Sequence, residues 1–361
     1  MAKEEKKDDI EQGKPKKKKS ILTIIVGIFA GILLLGIGAG YFYISSGIQQ
    51  TVMTKKDTLF KVYNGETLLK LCARMESIKL ISDCVPLKLY SKISPKYVPI
   101  KSGTYELKVG MPLSVFLTYV VQGKEKQYSF TIIEGDNIYQ VLEKLKTAER
   151  LNNDLAEQSI KKVAEALELP YESPEGWLHP ETYYYSLDST ASDLLKRAVE
   201  KQKEELKALW PERDVNLSIY KSYQALIVAS IIEKESSVHA ERDTISSVIH
   251  NRLHKGMRLQ TDPTVIYGIW HEYKGDITRA HLRQKTRYNT YRIDGLPPTP
   301  IANPSRASIE AALKPKDTDF LYFVAAGDGK HVFSQNLEEH NRAVRNYLRK
   351  QRLENLKKNN G

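Results

Sequence analysis

Residues 21 to 44, ILTIIVGIFAGILLLGIGAGYFYI, carry no charged side chain over 24 consecutive positions. At roughly 1.5 Å of rise per helical residue, such a run is long enough to cross a hydrocarbon core of about 30 Å. It predicts a membrane helix and divides the chain into a short tail of residues 1 to 20 and a long remainder. Five of the tail's eight lysines fall between Lys14 and Lys19. The positive-inside rule therefore keeps the tail in the cytoplasm and exports everything after residue 45. The segment is too long for the core of a signal peptide, and YFYISSG offers no small-x-small cleavage site, so the expectation is an uncleaved anchor.

The export assignment limits what the charge can mean. The chain has a formal net charge of +11, and the tail accounts for three of it, eight lysines against five acids. In the cytosol the remaining excess would suggest nucleic acid as a partner. Across the membrane it would instead meet an anionic envelope or simply be solvated, and no nucleic-acid partner is expected. The two cysteines, Cys72 and Cys84, both lie in the exported part. An oxidising compartment permits a bridge between them, but one pair cannot build a disulfide scaffold.

The exported sequence reads as α+β. TLFKVYNGETLLKLCARM predicts a strand, a turn at Asn64-Gly65 and an amphipathic helix, and GTYELKVGM with YSFTIIEGDNIYQVLEKL makes a second unit of strand, glycine turn and helix. From about 150 to 215 the chain is helical and charged, interrupted by SPEGWLHPETYYYS. A helix is expected over 219 to 236, capped by Ser218, and another over 240 to 255, stopped by Gly256. Loops rich in polar and aromatic residues fill 257 to 305. FLYFVAAGDGKHVFS then reads as a hairpin turning at Gly-Asp-Gly, followed by a basic helix.

Chemistry concentrates at VASIIEKESS, where an apolar helix ends in Glu233 and Glu235. Residues two apart point about 200° from each other on a helix, so only one of the two carboxylates faces a given cleft. Counting back by helical spacing, Glu235 extends the stripe of Ile232, Ile231 and Val228. Glu233 extends the slightly less apolar stripe of Ser230, Ala229 and Leu226. A carboxylate on an apolar face at a helix C-terminus is pushed towards its protonated form, which suits a general acid. A charged helix end in water accounts for the same letters. His250 and His254 share a helix face at metal-ligand spacing, yet a third ligand is missing nearby, so no metal and no cofactor is expected. There is also no Gly-x-Ser-x-Gly elbow, phosphate-binding Gly-rich loop or His-Glu-x-x-His helix. Trp177, Tyr183, Tyr184, Tyr185, Tyr267, Trp270, Tyr288 and Tyr291 gather around the loops beside Asn251, Gln260, Asp262 and Asn289. Flat rings next to amides and carboxylates suit a sugar, which has a C–H face and a rim of hydroxyls. Core packing explains about half of these rings equally well.

Taken together, ASIIEKESS, HNRLHKGMRLQTDPTVIYGI, YNTYRIDGLPPTPIANPS and HVFSQNLEEHN, with EGWLHPETY ahead of them, resemble in order the motifs of the YceG-like endolytic murein transglycosylases. The resemblance runs from the anchor to about residue 345. It implies a bitopic inner-membrane enzyme with a cytoplasmic N-terminus and a periplasmic catalytic domain. The implied organisation is a LysM-like module over 45 to 150, a catalytic domain over 151 to 345 and a basic tail over 346 to 361. The implied reaction cuts the β-1,4 bond between N-acetylmuramic acid and N-acetylglucosamine within peptidoglycan strands and leaves a 1,6-anhydro end. Glu235, the second glutamate of Glu-Lys-Glu, falls on the catalytic position, while Gln260, Thr261, Asp262, Asn289 and Tyr291 fall on polar substrate-binding motifs. Peptidoglycan synthases of the penicillin-binding class are implied partners. Ser236 stands where the family often has Thr. Readings still open beside this one are a non-catalytic peptidoglycan-binding scaffold, a zinc-dependent wall hydrolase on His250 and His254, and a muramidase using Asp262 as a second carboxylate.

Overall fold

A computed structural model describes residues 20–236, 238–327 and 329–359. Helix α1 spans Ser20–Ile48 and runs past the expected end at residue 44. It is the one helix among the described residues long and apolar enough to cross a membrane, and its side chains are apolar on every face.

The chain separates into two compact units, dividing between Lys126 and Gln127. In the first, β1 (Thr58–Val62) is followed by α2 (Leu68–Ser77), α3 (Val85–Ile93), β2 (Gly103–Leu107) and α4 (Leu113–Gln122). The strands pair antiparallel with Phe60 opposite Tyr105. The expected turn is present, with Gly65 at φ 72° and Thr67 accepting a hydrogen bond from the Lys70 amide as the N-cap of α2. Leu71, Met75, Leu87, Leu107, Phe116 and Tyr105 close a core of their own. Cys72 on α2 and Cys84, the residue before α3, form a disulfide with Cα atoms 5.8 Å apart. It closes a short loop 12 residues apart in sequence, and the chain-entropy account gives such a loop about 3 kcal/mol. Reducing it, or replacing both cysteines by serine, is expected to speed hydrogen exchange of the β1 and β2 amides while leaving amides of the second unit unchanged. Equal exchange before and after reduction would show that the bridge stabilises nothing.

The second unit begins with β3 (Tyr128–Thr131), and this differs from the boundary expected near residue 150. The strand–turn–helix stretch at 128 to 145 looks locally like the one at 58 to 77. Its strand, however, pairs antiparallel with β4 (Thr182–Tyr185), Phe130 opposite Tyr183, some fifty residues on. Between them lie α5 (Ile138–Leu145) and α6 (Ile160–Ala166); after them come α7 (Ala191–Leu209), α8 (Ser222–Glu235), α9 (Arg242–His254), α10 (Asp262–Gly268), α11 (Arg279–Arg283) and α12 (Arg306–Leu313). The hairpin is β5 (Tyr322–Ala325) and β6 (His331–Ser334), with Phe323 opposite Phe333, and α13 (Leu337–Asn359) ends the described chain. The fold is thus α+β, as expected.

Helix α8 is the hub of this unit. Every residue from Ala225 to Ile232 is buried. The two stripes distinguished in the sequence are therefore both core, and periodicity alone could not choose between the glutamates. The helix starts at Ser222 and not at 219, because Gln224 reaches back to accept the amides of Tyr220 and Lys221. Ser218 serves elsewhere: its hydroxyl meets His250 Nδ1 at 2.8 Å. Gly256, at φ 65°, terminates the turn after α9 as expected.

Candidate active site

Glu233 and Glu235 emerge from α8 into different surroundings. Glu233 is inside: its side chain is 5% exposed and pairs with Arg242, also 5% exposed, at 2.9 Å. The other carboxylate oxygen accepts the Ser305 amide at 2.9 Å and the Ser305 hydroxyl, while Arg242 donates to the same hydroxyl at 3.0 Å. Ser305 is the N-cap of α12, so Glu233 joins α8, the start of α9 and the start of α12 in one buried ionic knot. A carboxylate committed to a guanidinium and a helix cap is not available to carry a proton to a ligand.

Glu235 is the last residue of α8 and only partly buried, and among the described residues nothing donates a hydrogen bond to it. Its carboxyl nonetheless lies among protein atoms. Desolvation, followed by the negative charge of Asp262, pushes its pKa up to about 8. The C-terminal end of the helix dipole acts in the same direction. A carboxyl with such a pKa is protonated at neutral pH.

Asp262, exposed, opens α10 at its first turn and accepts a hydrogen bond from the Tyr291 hydroxyl at 2.8 Å. The tyrosine stays protonated. Burial, the bond to Asp262, and the charges of Asp262 and Glu235 all raise its pKa, opposed only by Arg252. Glu235, Asp262 and Tyr291 are thus brought into one electrostatic cluster.

The remaining expected residues take other places. Gln260 is exposed with a left-handed backbone, φ 52°, and its side-chain oxygen lies 3.4 Å from an Arg252 nitrogen. Thr261 is buried, its amide donating to Thr290 Oγ1 at 3.0 Å. Asn289 is wholly buried. Its amide nitrogen is spent on the carbonyls of His281, Leu282 and Gln284, and its oxygen accepts the Tyr291 amide at 3.0 Å. Thr261 and Asn289 therefore set the loops that present Asp262 and Tyr291. Asn251 is committed in the same way, to the carbonyls of Thr318 and Phe320.

Arg252, Glu175, Gly176 and Asn303 were not singled out in the sequence. Arg252 is buried with no carboxylate partner among the described residues, and it donates to the carbonyls of Leu321, Arg258 and Leu259, fixing the strained turn that carries Gln260. Its place as a basic residue in the last turn of a helix, just ahead of the Gly256 stop, is its sequence signal. Glu175, in EGW, is fully buried. It accepts the Ile138 amide at the start of α5 and the Tyr267 hydroxyl, and burial pushes its pKa up to about 8. Gly176 beside it has φ 79°, and a Cβ there would lie 2.5 Å from Pro300. The glycine, the proline and the glutamate of these motifs thus meet in one packing arrangement. Asn303 completes it, donating to the Asp136 carbonyl and accepting the Leu178 amide. Of the aromatic residues, Trp177, Tyr183, Tyr185 and Tyr267 are core.

His250 lacks the freedom a metal ligand needs. Nε2 donates to the Ala312 carbonyl at 2.9 Å, Nδ1 faces the Ser218 hydroxyl, and burial lowers the pKa of the ring. The described residues contain no group of three or more His, Cys, Asp or Glu able to hold a metal.

Residues 60–346 match the YceG-like family model. An endolytic murein transglycosylase of Bacillus subtilis is 30% identical over 332 residues, covering 86% of this chain and 91% of that protein. One from Streptococcus pneumoniae is 26% identical over 367 residues, covering 89% of this chain; the match takes in 64% of that longer protein. A crystal structure of a YceG-like protein from Listeria monocytogenes is 28% identical, covers 80% of this chain and 99% of its own, and has a TM-score of 0.48. With four-fifths of the sequence inside the family model and a relative aligned over nearly its full length, the chain belongs to the YceG-like family.

Proposed function

We propose that this chain is an endolytic murein transglycosylase that uses Glu235 as its single proton-transfer group. The observation that carries the assignment is the contrast at the end of α8: one glutamate is locked into an ionic knot, while the other is held neutral beside Asp262 with no hydrogen-bond donor among the described residues. Protonated Glu235 donates to the oxygen leaving C1 of N-acetylmuramic acid, and the C1–O bond breaks. The 6-hydroxyl of the same sugar attacks C1, and its proton passes to the Glu235 carboxylate, which regenerates the acid. Water is not consumed, so the second carboxylate of an ordinary glycosidase is not required. Closing the new ring within one sugar makes the second step intramolecular. The Asp262 carboxylate, held by Tyr291, supplies negative charge beside the developing positive charge at C1. Gln260 meets sugar hydroxyls, and Thr261 and Asn289 hold the loops in place.

The rest of the reading follows from the chain's organisation. Helix α1 anchors the enzyme in the cytoplasmic membrane, with the Lys-rich tail inside and the catalytic unit outside. The compact βααβ arrangement of the first unit supports reading it as LysM-like. An enzyme tethered in this way acts on strands close to the membrane, beside the synthases that make them; crosslinking in cells that recovers no penicillin-binding protein would remove this part of the proposal.

The deciding experiment is mass spectrometry of the products when the full-length protein in detergent digests uncrosslinked glycan strands. Ends in 1,6-anhydro-N-acetylmuramic acid are expected. Reducing ends would instead make it a hydrolase with Asp262 as the second carboxylate, and intact strands would leave a binding scaffold.

The pH dependence provides a second test. An acid with a pKa of about 8 is protonated below that value, so the rate is expected to fall as pH rises through about 8. Asp262→Asn removes the like charge and is expected to move this limb to lower pH, but only part of the way, because desolvation is the larger cause. A limb in the ordinary carboxylate range in the wild type would contradict the assignment.

A further inference from the structure

Beyond the cleft, the second unit has a groove of about 560 Å³, within the range of ligand sites, between α5, the 153–160 loop and the residues following α10. Its aromatic wall is Tyr139 stacked on Trp270, ring centres 6.2 Å apart and 12° from parallel, with His271 edge-on to Tyr139 at 4.8 Å. Asn153 also lines the groove, and its side-chain oxygen, buried just beneath the surface, has no hydrogen-bond partner among the described residues. A buried acceptor left without a donor costs about 1–3 kcal/mol, and a turn of the Asn153 side chain that brings this oxygen to a hydroxyl or amide N–H in the groove would relieve that cost. The lining carries one lysine, Lys146, against two glutamates, Glu143 and Glu157, so a carboxylate ligand gains little there. A flat C–H face for the rings, with a donor for Asn153, describes a neutral amino sugar.

The groove also lies a short way along the chain from Asp262. Trp270 follows Asp262 by eight residues, most of them in α10, which at about 1.5 Å per residue is about 12 Å along the helix. We infer that the Tyr139–Trp270 groove is a distal glycan subsite holding an N-acetylated sugar of the strand being cut. The inference rests on the transglycosylase reading. It gives that reading a physical basis for preferring long strands, because a strand engaging both positions gains binding energy that a short one cannot.

The test compares wild type, Trp270→Ala and Trp270→Phe as full-length proteins in detergent. Cleavage is measured on long uncrosslinked strands and on a tetrasaccharide that fills only the cleft. Trp270→Ala is expected to lower kcat/KM on long strands about tenfold, the factor for about 1.4 kcal/mol of lost stacking, and to leave the tetrasaccharide unaffected. Trp270→Phe keeps a ring and is expected to stay close to wild type. Equal losses on both substrates would mean a structural effect and overturn the subsite, as would no loss on either. Binding of long strands to Glu235→Gln, with and without Trp270→Ala, separates the two readings. If the wild type cuts nothing yet Trp270→Ala weakens binding, the transglycosylase reading fails and the groove stands; unchanged binding overturns the groove.

Discussion

Glu235→Gln is expected to lower turnover on glycan strands by about 10²–10⁴-fold, the range in which positioned general acid–base catalysis acts, while strand binding persists. Glutamine keeps the shape and polarity of the side chain but has no proton to give at pH 7. Because Glu235 is predicted to act both as acid and as base in one cycle, both steps fail together. The fold should not suffer. A carboxyl whose folded pKa is raised from the ordinary carboxylate range to about 8 binds its proton more tightly in the folded state. Its contribution to stability is therefore full below the ordinary value and is lost as pH rises towards 8. The Gln variant should accordingly melt no lower than wild type, and higher above pH 8. Rates from product release, with melts at pH 6 and pH 9, test both halves. A fully active Glu235→Gln would end the assignment.

Arg242→Met is expected to produce the opposite pattern, destabilising the second unit by about 3–5 kcal/mol, because it leaves the Glu233 carboxylate buried without its cation. Glu233→Gln leaves the Arg242 guanidinium buried without its anion and should cost a similar amount, eased only by the amide oxygen, which can still accept from Ser305. Whatever fraction stays folded should keep measurable turnover. Urea titration followed by hydrogen exchange at α8 and α12 measures the loss. The crossed result is decisive: a stable, inactive Glu233→Gln beside an active Glu235→Gln would reverse the roles of the two glutamates.

Those two residues also show how far the sequence could be read. Spacing established that the two carboxylates diverge and that one of them would meet an apolar environment. It favoured Glu235 only slightly, and on a ground that the fold removes, since α8 is buried on both stripes. The resemblance chose the same residue. What separates the two glutamates physically is the approach of Arg242 and Ser305, nine and seventy-two residues away from Glu233. Likewise Gln260, Thr261, Asp262, Asn289 and Tyr291 read alike as polar loop letters. Only their hydrogen bonds distinguish Tyr291 and Asp262, which face Glu235, from Asn289, which is buried beneath them.

Properties fixed by local composition were legible in the sequence: the apolar span of α1, the α+β alternation of strands and helices, the stop at Gly256 and the ordered motifs that identify the family. These depend on side-chain chemistry and neighbour spacing, which the sequence records directly. The boundary at 126 was not legible, because a β-strand's partner is chosen by the face it must bury. Nothing local in YSFT points to TYYY at 182 to 185. The burial of Glu175 at the start of α5, the unpartnered oxygen of Asn153 and the neutral state of Glu235 were hidden for the same reason. Each depends on which atoms exclude water from a group, and those atoms come from distant parts of the chain.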